Sequence, residues 1–338
     1  VTVAADGAAL RRAVCAAPDD DLPRLVYADW LDEHGDSARA EFIRVQCEQA
    51  RTPWMSARWR QLHRAADHLR RGHQAEWSAN VDGVARYGYL GRGFVETVYM
   101  FSKRFVTHGN KLLDAEPVHT VRLIDLHAAA GAVPVREFVA SPPVARLRGL
   151  DFGNSVLTFS EMEDISYAGT GPLAGLRDLT LEGGAIIGPL LVGLMRRLGG
   201  LKHLRVRPWD GGPARSVLEV LFREKAFERV ETLDLSGTEV ADAVPALAAS
   251  RHAAGLTRLH LAQACDAAGI AALAASTTLR NLAVLDLTGC PVTDADVQAL
   301  AGAVFAPTLK VLVVRQSQVP RANAKRFAGL FPQAEVVV

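Results

Sequence analysis

A three-anchor spacing, apolar-x-x-apolar-x-apolar, returns from residue 95 to the end of the chain and restricts what the polypeptide can fold into. It reads Val95/Val98/Met100, Val118/Val121/Leu123, Leu147/Leu150/Phe152 and Leu176/Leu179/Leu181. It goes on as Leu201/Leu204/Val206, Val230/Leu233/Leu235, Leu256/Leu259/Leu261, Leu282/Leu285/Leu287 and Leu309/Leu312/Val314. Successive first anchors lie 23, 29, 29, 25, 29, 26, 26 and 27 residues apart. The last two anchors of each set alternate with other residues at period two, as a strand with one buried face requires. Between sets come helix-like stretches such as 244–250, 269–276 and 294–301, the last with Thr293 and Asp294 where an N-cap is wanted. The repeating unit is therefore strand, turn, helix, turn. Four or five buried apolar side chains contribute about 1.5–3 kcal/mol each, whereas each ordered residue costs roughly 1–2 kcal/mol of backbone entropy. One unit cannot fold alone, so units must stack and share their apolar faces.

These residues resemble the leucine-rich-repeat family, in particular its ribonuclease-inhibitor-like branch. The best matches are Leu233-Asp-Leu-Ser-Gly-Thr and Leu285-Asp-Leu-Thr-Gly-Cys-Pro-Val-Thr-Asp. The resemblance implies an α/β solenoid, with a curved parallel sheet inside and helices on the convex side. In the family pattern an Asn or Cys three positions after the last strand leucine satisfies the turn backbone. Cys290 fits, Thr238 is a substitute, and Gly184 and Ala264 depart from it. Residues 332–338 read as a last strand closing the array.

The first fifty residues read as three short helices: Ala8 to Ala17, a second through Leu22 to Leu31 ending near Gly35, and a third from about Ser37. Asp19-Asp20-Asp21 places acid at the favourable end of the second helix dipole. The stretch Ala17-Pro-Asp-Asp-Asp-Leu-Pro-Arg-Leu-Val-Tyr-Ala-Asp-Trp-Leu-Asp-Glu-His-Gly-Asp, followed by Arg39-Ala-Glu-Phe-Ile-Arg-Val-Gln, resembles the bacterial repeat-companion domain. That resemblance implies a helical segment preceding a repeat array, and shielding its first strand is the physical use for one. Residues 51–91, with Trp54, Trp59 and Trp77 among Arg58, Arg60, Arg64, Arg70 and Arg71, read as an amphipathic helix that packs its tryptophans and exposes its arginines. The expected division is an all-α cap over 1–91 and about nine irregular repeats over 92–338.

Composition limits the function classes. The chain has 338 residues, 49% hydrophobic and 22% charged, with 38 basic against 37 acidic side chains. A net charge of +1 argues against a dedicated nucleic-acid binder, whose affinity comes largely from phosphate neutralisation. No run of roughly 18–20 apolar residues is present for a membrane span, and residues 1–10 show no secretory pattern. Cys15, Cys47, Cys265 and Cys290 form no metal-ligand spacing and read as buried thiols of a cytoplasmic protein.

No catalytic motif of the HExxH, GxSxG or P-loop type occurs. Asp29, Asp32, Glu33, Asp36 and Glu41 lack the spacing of a calcium loop, and Gly183-Gly184 and Gly211-Gly212 read as turn glycines. The chain is thus expected to be non-enzymatic, without cofactor or metal, and to bind a protein partner. The expected surface comprises strand residues flanking the inward anchors, which project to the concave face. They are Tyr99, Arg122, Asp151, Asp178, Glu182, His203, Arg205, Arg207, Asp234, Arg258, His260, Asp286 and Arg315, with Phe101, Ile124, Thr180, Thr232, Ser236, Val284, Thr288, Val311 and Val313 beside them. Two other readings stay open: a recognition subunit for a separately encoded effector enzyme, and a self-associating structural repeat.

Overall fold

The structure is a computed structural model that describes residues 3–338, except 125, 128–130, 154, 156, 183–187 and 208–213. Gly183-Gly184 and Gly211-Gly212 lie outside the described residues. The chain divides into two compact units, Val1–Thr52 with Ala57–Gly153, and Pro53–Ser56 with Asn154–Val338.

In the first unit, helices α1 (Val3–Ala16), α2 (Leu22–Glu33), α3 (Ser37–Arg51) and α4 (Ala57–Ser78) precede strands β1 (Tyr87–Gly91) and β2 (Phe94–Phe101). Helix α5 (Ser102–Ala115), β3 (Thr120–Ile124), α6 (Val135–Ala140) and β4 (Gly149–Asp151) follow. Strand β1 runs antiparallel to β2, and β2, β3 and β4 are parallel. Residues 87–91 therefore depart from the all-α expectation. Tyr87, Tyr89 and the turn at Arg92-Gly93, both at positive φ, suit a hairpin, and its contacts with α2 and α3 draw helices and strands into one unit.

Those contacts involve the residues that carry the companion-domain resemblance. Arg24 is fully buried, donates to the carbonyls of Pro18 and Arg92, and pairs with Glu96 at 2.7 Å. Arg39 donates to the Gly93 carbonyl at 2.8 Å, while the Gln46 side chain accepts from the Gly93 N–H at 2.7 Å. A Cβ at Gly93 would lie 2.2 Å from Ile43, so the turn reaches its donors only as glycine. Burial, the dominant cause, lowers the pKa of the Arg39 guanidinium to about 10, with Glu116 opposing it. Arg24 and Arg39 also sit over the Phe94 ring, at 5.3 and 5.6 Å. Fully buried Glu116 accepts from Arg11 and Asn80.

The second unit repeats strand and helix. Its elements are α7 (Phe159–Ala168), β5 (Asp178–Glu182), α8 (Gly188–Arg197), β6 (His203–Arg207), α9 (Ala214–Phe222), β7 (Thr232–Asp234) and α10 (Val244–Ala249). After them come β8 (Arg258–His260), α11 (Ala267–Ala274), β9 (Val284–Asp286), α12 (Asp294–Ala301), β10 (Val311–Val313), α13 (Ala324–Ala328) and β11 (Glu335–Val337). Neighbouring strands are parallel from β5 through β11. The middle anchors align in one row: Leu179, Leu204, Leu233, Leu259, Leu285, Leu312 and Val336. Every anchor named in the nine sets is buried, none more than 4% exposed. The architecture is α/β and leucine-rich-repeat-like, with strands joined by helical returns.

Small polar groups tie one repeat to the next. Ser276 and Thr278 donate to the Ala248 carbonyl, and Thr308 donates to that of Leu282. Cys290 points its Sγ at the Leu261 carbonyl, 3.1 Å away, and Thr238 donates to Leu235. Both thus occupy the turn position that the family pattern gives to Asn or Cys; Ala264 is buried there without a polar group. Thr293 caps α12 in a reciprocal capping box with Asp296.

The left-handed turn after each of four strands falls on Gly237, Gln263, Gly289 and Gln316, with φ of 71, 59, 70 and 54°. A Cβ at Gly237 meets nothing within 4 Å, but one at Gly289 would lie 2.8 Å from the Gln263 side chain. Gly237→Ala is expected to cost about 1 kcal/mol from φ alone, and Gly289→Ala more. Adding Gln263→Ala should remove that excess; equal losses in chemical denaturation would contradict the packing argument. In the first unit Glu96 also binds Arg92 at 2.7 Å, so Arg24→Met should destabilise by about 1–3 kcal/mol through the lost buried hydrogen bond to the Arg92 carbonyl, and Arg24→Lys should lose less. Equal losses for the two variants in chemical denaturation would contradict that assignment.

Candidate functional site

Strand side chains that flank the buried anchors leave the sheet on its other face, and most of the expected binding residues meet one another there. In the second unit Arg205 Nε lies 2.9 Å from Asp234, and Arg207 lies 3.2 Å from Glu182. His203 and Asp178 are 3.8 Å apart, as are His260 and Asp286. Arg258 donates to Thr232 Oγ1 at 2.9 Å. These pairs are cross-strand neighbours in register. The acidic and basic residues therefore neutralise each other across the strands.

Burial sorts the expected residues further. Arg258 and Arg315 are exposed, and Asp178, His203, Arg205, Arg207 and Asp234 are half-buried. Glu182 and Asp286, expected at the surface, are buried at 8% and 5% exposure. Pairing with Arg207, and with His260 and Thr288, makes that burial tolerable. Val284, Val311 and Val313 are also buried, and so is Ile124 of the first unit; none of the four is open surface.

Trp54 was expected in an amphipathic helix and instead lies in the Pro53–Ser56 segment, which belongs to the second unit. Its ring meets His260 edge-on, with centroids 4.8 Å apart. Local sequence carries no signal for that contact, because its partner is a strand residue far along the chain. The rest of residues 51–91 follows the amphipathic reading in part: Trp77 is buried against Phe42, while Arg70 and Arg71 pair with Asp67.

The strands of the first unit carry a stack of their own. Arg86 lies over Tyr87, Tyr87 stacks on Tyr99 with centroids 6.2 Å apart, and Arg122 lies over Tyr99 at 5.5 Å. Arg122 reaches Asp151 at 3.5 Å. The cation–aromatic alternation pins side chains that would otherwise be mobile.

Three of the acidic residues near Gly35 have structural partners. Asp29 and Asp32 both pair with Arg44, and Asp36 caps α3 by accepting from the Arg39 N–H. Among the described residues no three His, Cys, Asp or Glu side chains gather as a metal site. Cys47 and Cys265 are pushed up to about 12, chiefly by burial, which leaves them protonated and poor nucleophiles at neutral pH. Among the described residues no helix is long and apolar enough to cross a membrane.

Two groups on the second unit's face titrate away from their ordinary values. Burial raises the Asp286 pKa, but hydrogen bonds from His260 and Thr288 outweigh it and leave the carboxyl below the usual range. Burial lowers the His203 pKa, with Asp178 only partly opposing it.

No known family model matches the chain, and no curated protein matches it. Among solved structures it is similar to an LRR protein of Leptospira interrogans, with a TM-score of 0.31 and 12% identity. The match covers 66% of this chain and 62% of that one.

Both shifts fix the sign of a pH response. A folded-state His203 pKa below the unfolded value near 6.5 means that the unfolded chain binds the proton first. Stability is then full above that value and falls as pH drops through the folded pKa. Asp286 behaves likewise at lower pH, contributing above about 3.9 and losing its contribution below. His203→Gln should therefore flatten the stability decrease between pH 7 and 5. Asp286→Asn should destabilise at pH 7 and converge on the parent in acid. Chemical denaturation at stepped pH measures both, and parallel curves for parent and His203→Gln would contradict the assignment.

Proposed function

We propose that this chain is a non-enzymatic binding module that recognises a protein through the exposed strand face of its repeats. The pre-paired charge ladder of the second unit carries this reading: Arg205 with Asp234, Arg207 with Glu182 and His203 with Asp178. Side chains already held by neighbours lose less freedom when a partner arrives. Both signs alternate across the strands, which suits a protein surface of mixed charge better than a uniformly anionic polymer. Arginine and tyrosine, prominent on the two units' strand faces, are the residue types that dominate interface energetics. The buried, protonated thiols and the structurally engaged carboxylates favour binding over chemistry.

In this reading the N-terminal helices are a repeat-companion domain whose motif arginines and glutamine hold the first hairpin. The repeats are of the ribonuclease-inhibitor-like kind, and the protein works in a bacterial cytoplasm.

Charge reversal at Arg205 or Arg207 is a poor test, because a glutamate there would face Asp234 or Glu182. Exposed Arg258, which donates to the Thr232 hydroxyl of its own unit, is the better position for a photocrosslinker. Benzoylphenylalanine at 258 is expected to capture a discrete second protein in source cells, and the same group at Val220 on α9 is not. Capture from 220 alone, or only of further copies of this chain, would overturn the reading.

A further inference from the structure

The first unit has a feature that the strand-face reading does not use. Strand β1 pairs with β2 on one side and ends the strand order on the other. A terminal strand presents backbone groups that seek a partner. Here the Gly88 carbonyl is met by the Gln74 side chain at 3.4 Å and the Leu90 carbonyl by Gln46 at 3.3 Å. Both contacts are long for N–H to oxygen bonds, which cluster near 2.9–3.0 Å. They come from flexible side chains and not from a neighbouring strand.

Along this edge runs a groove of about 670 Å³. One wall is residues 87–90, and the other is built from α3 and α4 residues, among them Gln49, His63, Asp67, Arg70 and Gln74. Its charges are internally matched, since Arg70 binds Asp67 at 2.5 Å and also reaches Gln74. Tyr87 and Tyr89, two residues apart on one face of the strand, are 54% and 49% exposed. Gly88 faces the other way, where a Cβ would come within 2.8 Å of Val81.

We propose that the free edge of β1 and this groove form a docking site for an extended peptide strand of another protein, with uncharged, apolar side chains at alternate positions. The edge supplies carbonyls at strand spacing, which a peptide backbone meets better than two stretched glutamines do. The neutral walls favour an uncharged occupant, and the tyrosines at i and i+2 match the side-chain period of an added strand. Five residues of β1 offer about 17 Å of edge, and the groove volume lies in the range of a ligand cleft. A second folded copy of this protein is too bulky for such a groove.

Fluorescence anisotropy of a labelled, end-blocked heptapeptide of alternating threonine and valine tests this on the full chain. Saturable binding is expected, with an affinity loss of about tenfold when alternate amides are N-methylated in one register and little change in the other. Gln74→Ala removes the competing intramolecular donor and is expected to tighten binding, while Tyr87→Ser/Tyr89→Ser weakens it. The proposal fails if the heptapeptide shows no saturable binding to either the parent or Gln74→Ala. It fails equally if binding ignores N-methylation in both registers, or if sedimentation shows this edge closing a dimer that peptide does not dissolve. The parent protein with methylated and unmethylated peptides decides the matter even if a variant does not fold.

Discussion

A strand-and-helix unit of this size buries its apolar face only against another such unit, and everything else in the repeat region follows from that requirement. The row from Leu179 to Val336 is where the requirement is met, one anchor per strand, each covered by its neighbours. Because parallel strands donate and accept evenly along their length, the row also locks the register. A slip of one residue would exchange Leu233 for Asp234 and bury the wrong face. The hydroxyls of Ser276, Thr278 and Thr308, each reaching a carbonyl of the preceding repeat, are the polar counterpart of that row.

The first strands meet the same requirement differently. Strand β2 has parallel β3 on one side, whereas its other neighbour is the antiparallel β1 of a hairpin. The turn of that hairpin is held from α2 and α3 by Arg24, Arg39 and Gln46. Buried guanidiniums are costly unless they are paired; here carbonyls, Glu96 and the Phe94 ring engage their terminal groups. A motif full of charged residues thus works from inside the fold. It fixes backbone, and a glycine that tolerates no Cβ is the piece it grips.

The strand face of the second unit shows how one constraint creates another. Register places Arg205 beside Asp234 and His260 beside Asp286, so residues that look like independent surface charges are pairs. Pairing permits Glu182 and Asp286 to be buried, and burial of His203 itself lowers its pKa. Much of the charge on this face is therefore held in ordered cross-strand pairs.

Periodicity belongs to the local sequence, and so the anchors, the strand positions, the helical returns, the Thr293 cap and the acid at the start of α2 were readable from the residues in order. The side each strand residue takes was readable too, since it alternates. What only the tertiary structure decided is who stands opposite. Burial of Val311 and Asp286, the contact of Trp54 with His260, the inward turn of Arg24 and Arg39, and the hairpin at 87–94 all depend on neighbours brought together by folding. An arginine looks the same in sequence whether it will reach solvent or a carbonyl far along the chain. Its environment is fixed by packing between elements, which no window of neighbouring residues contains.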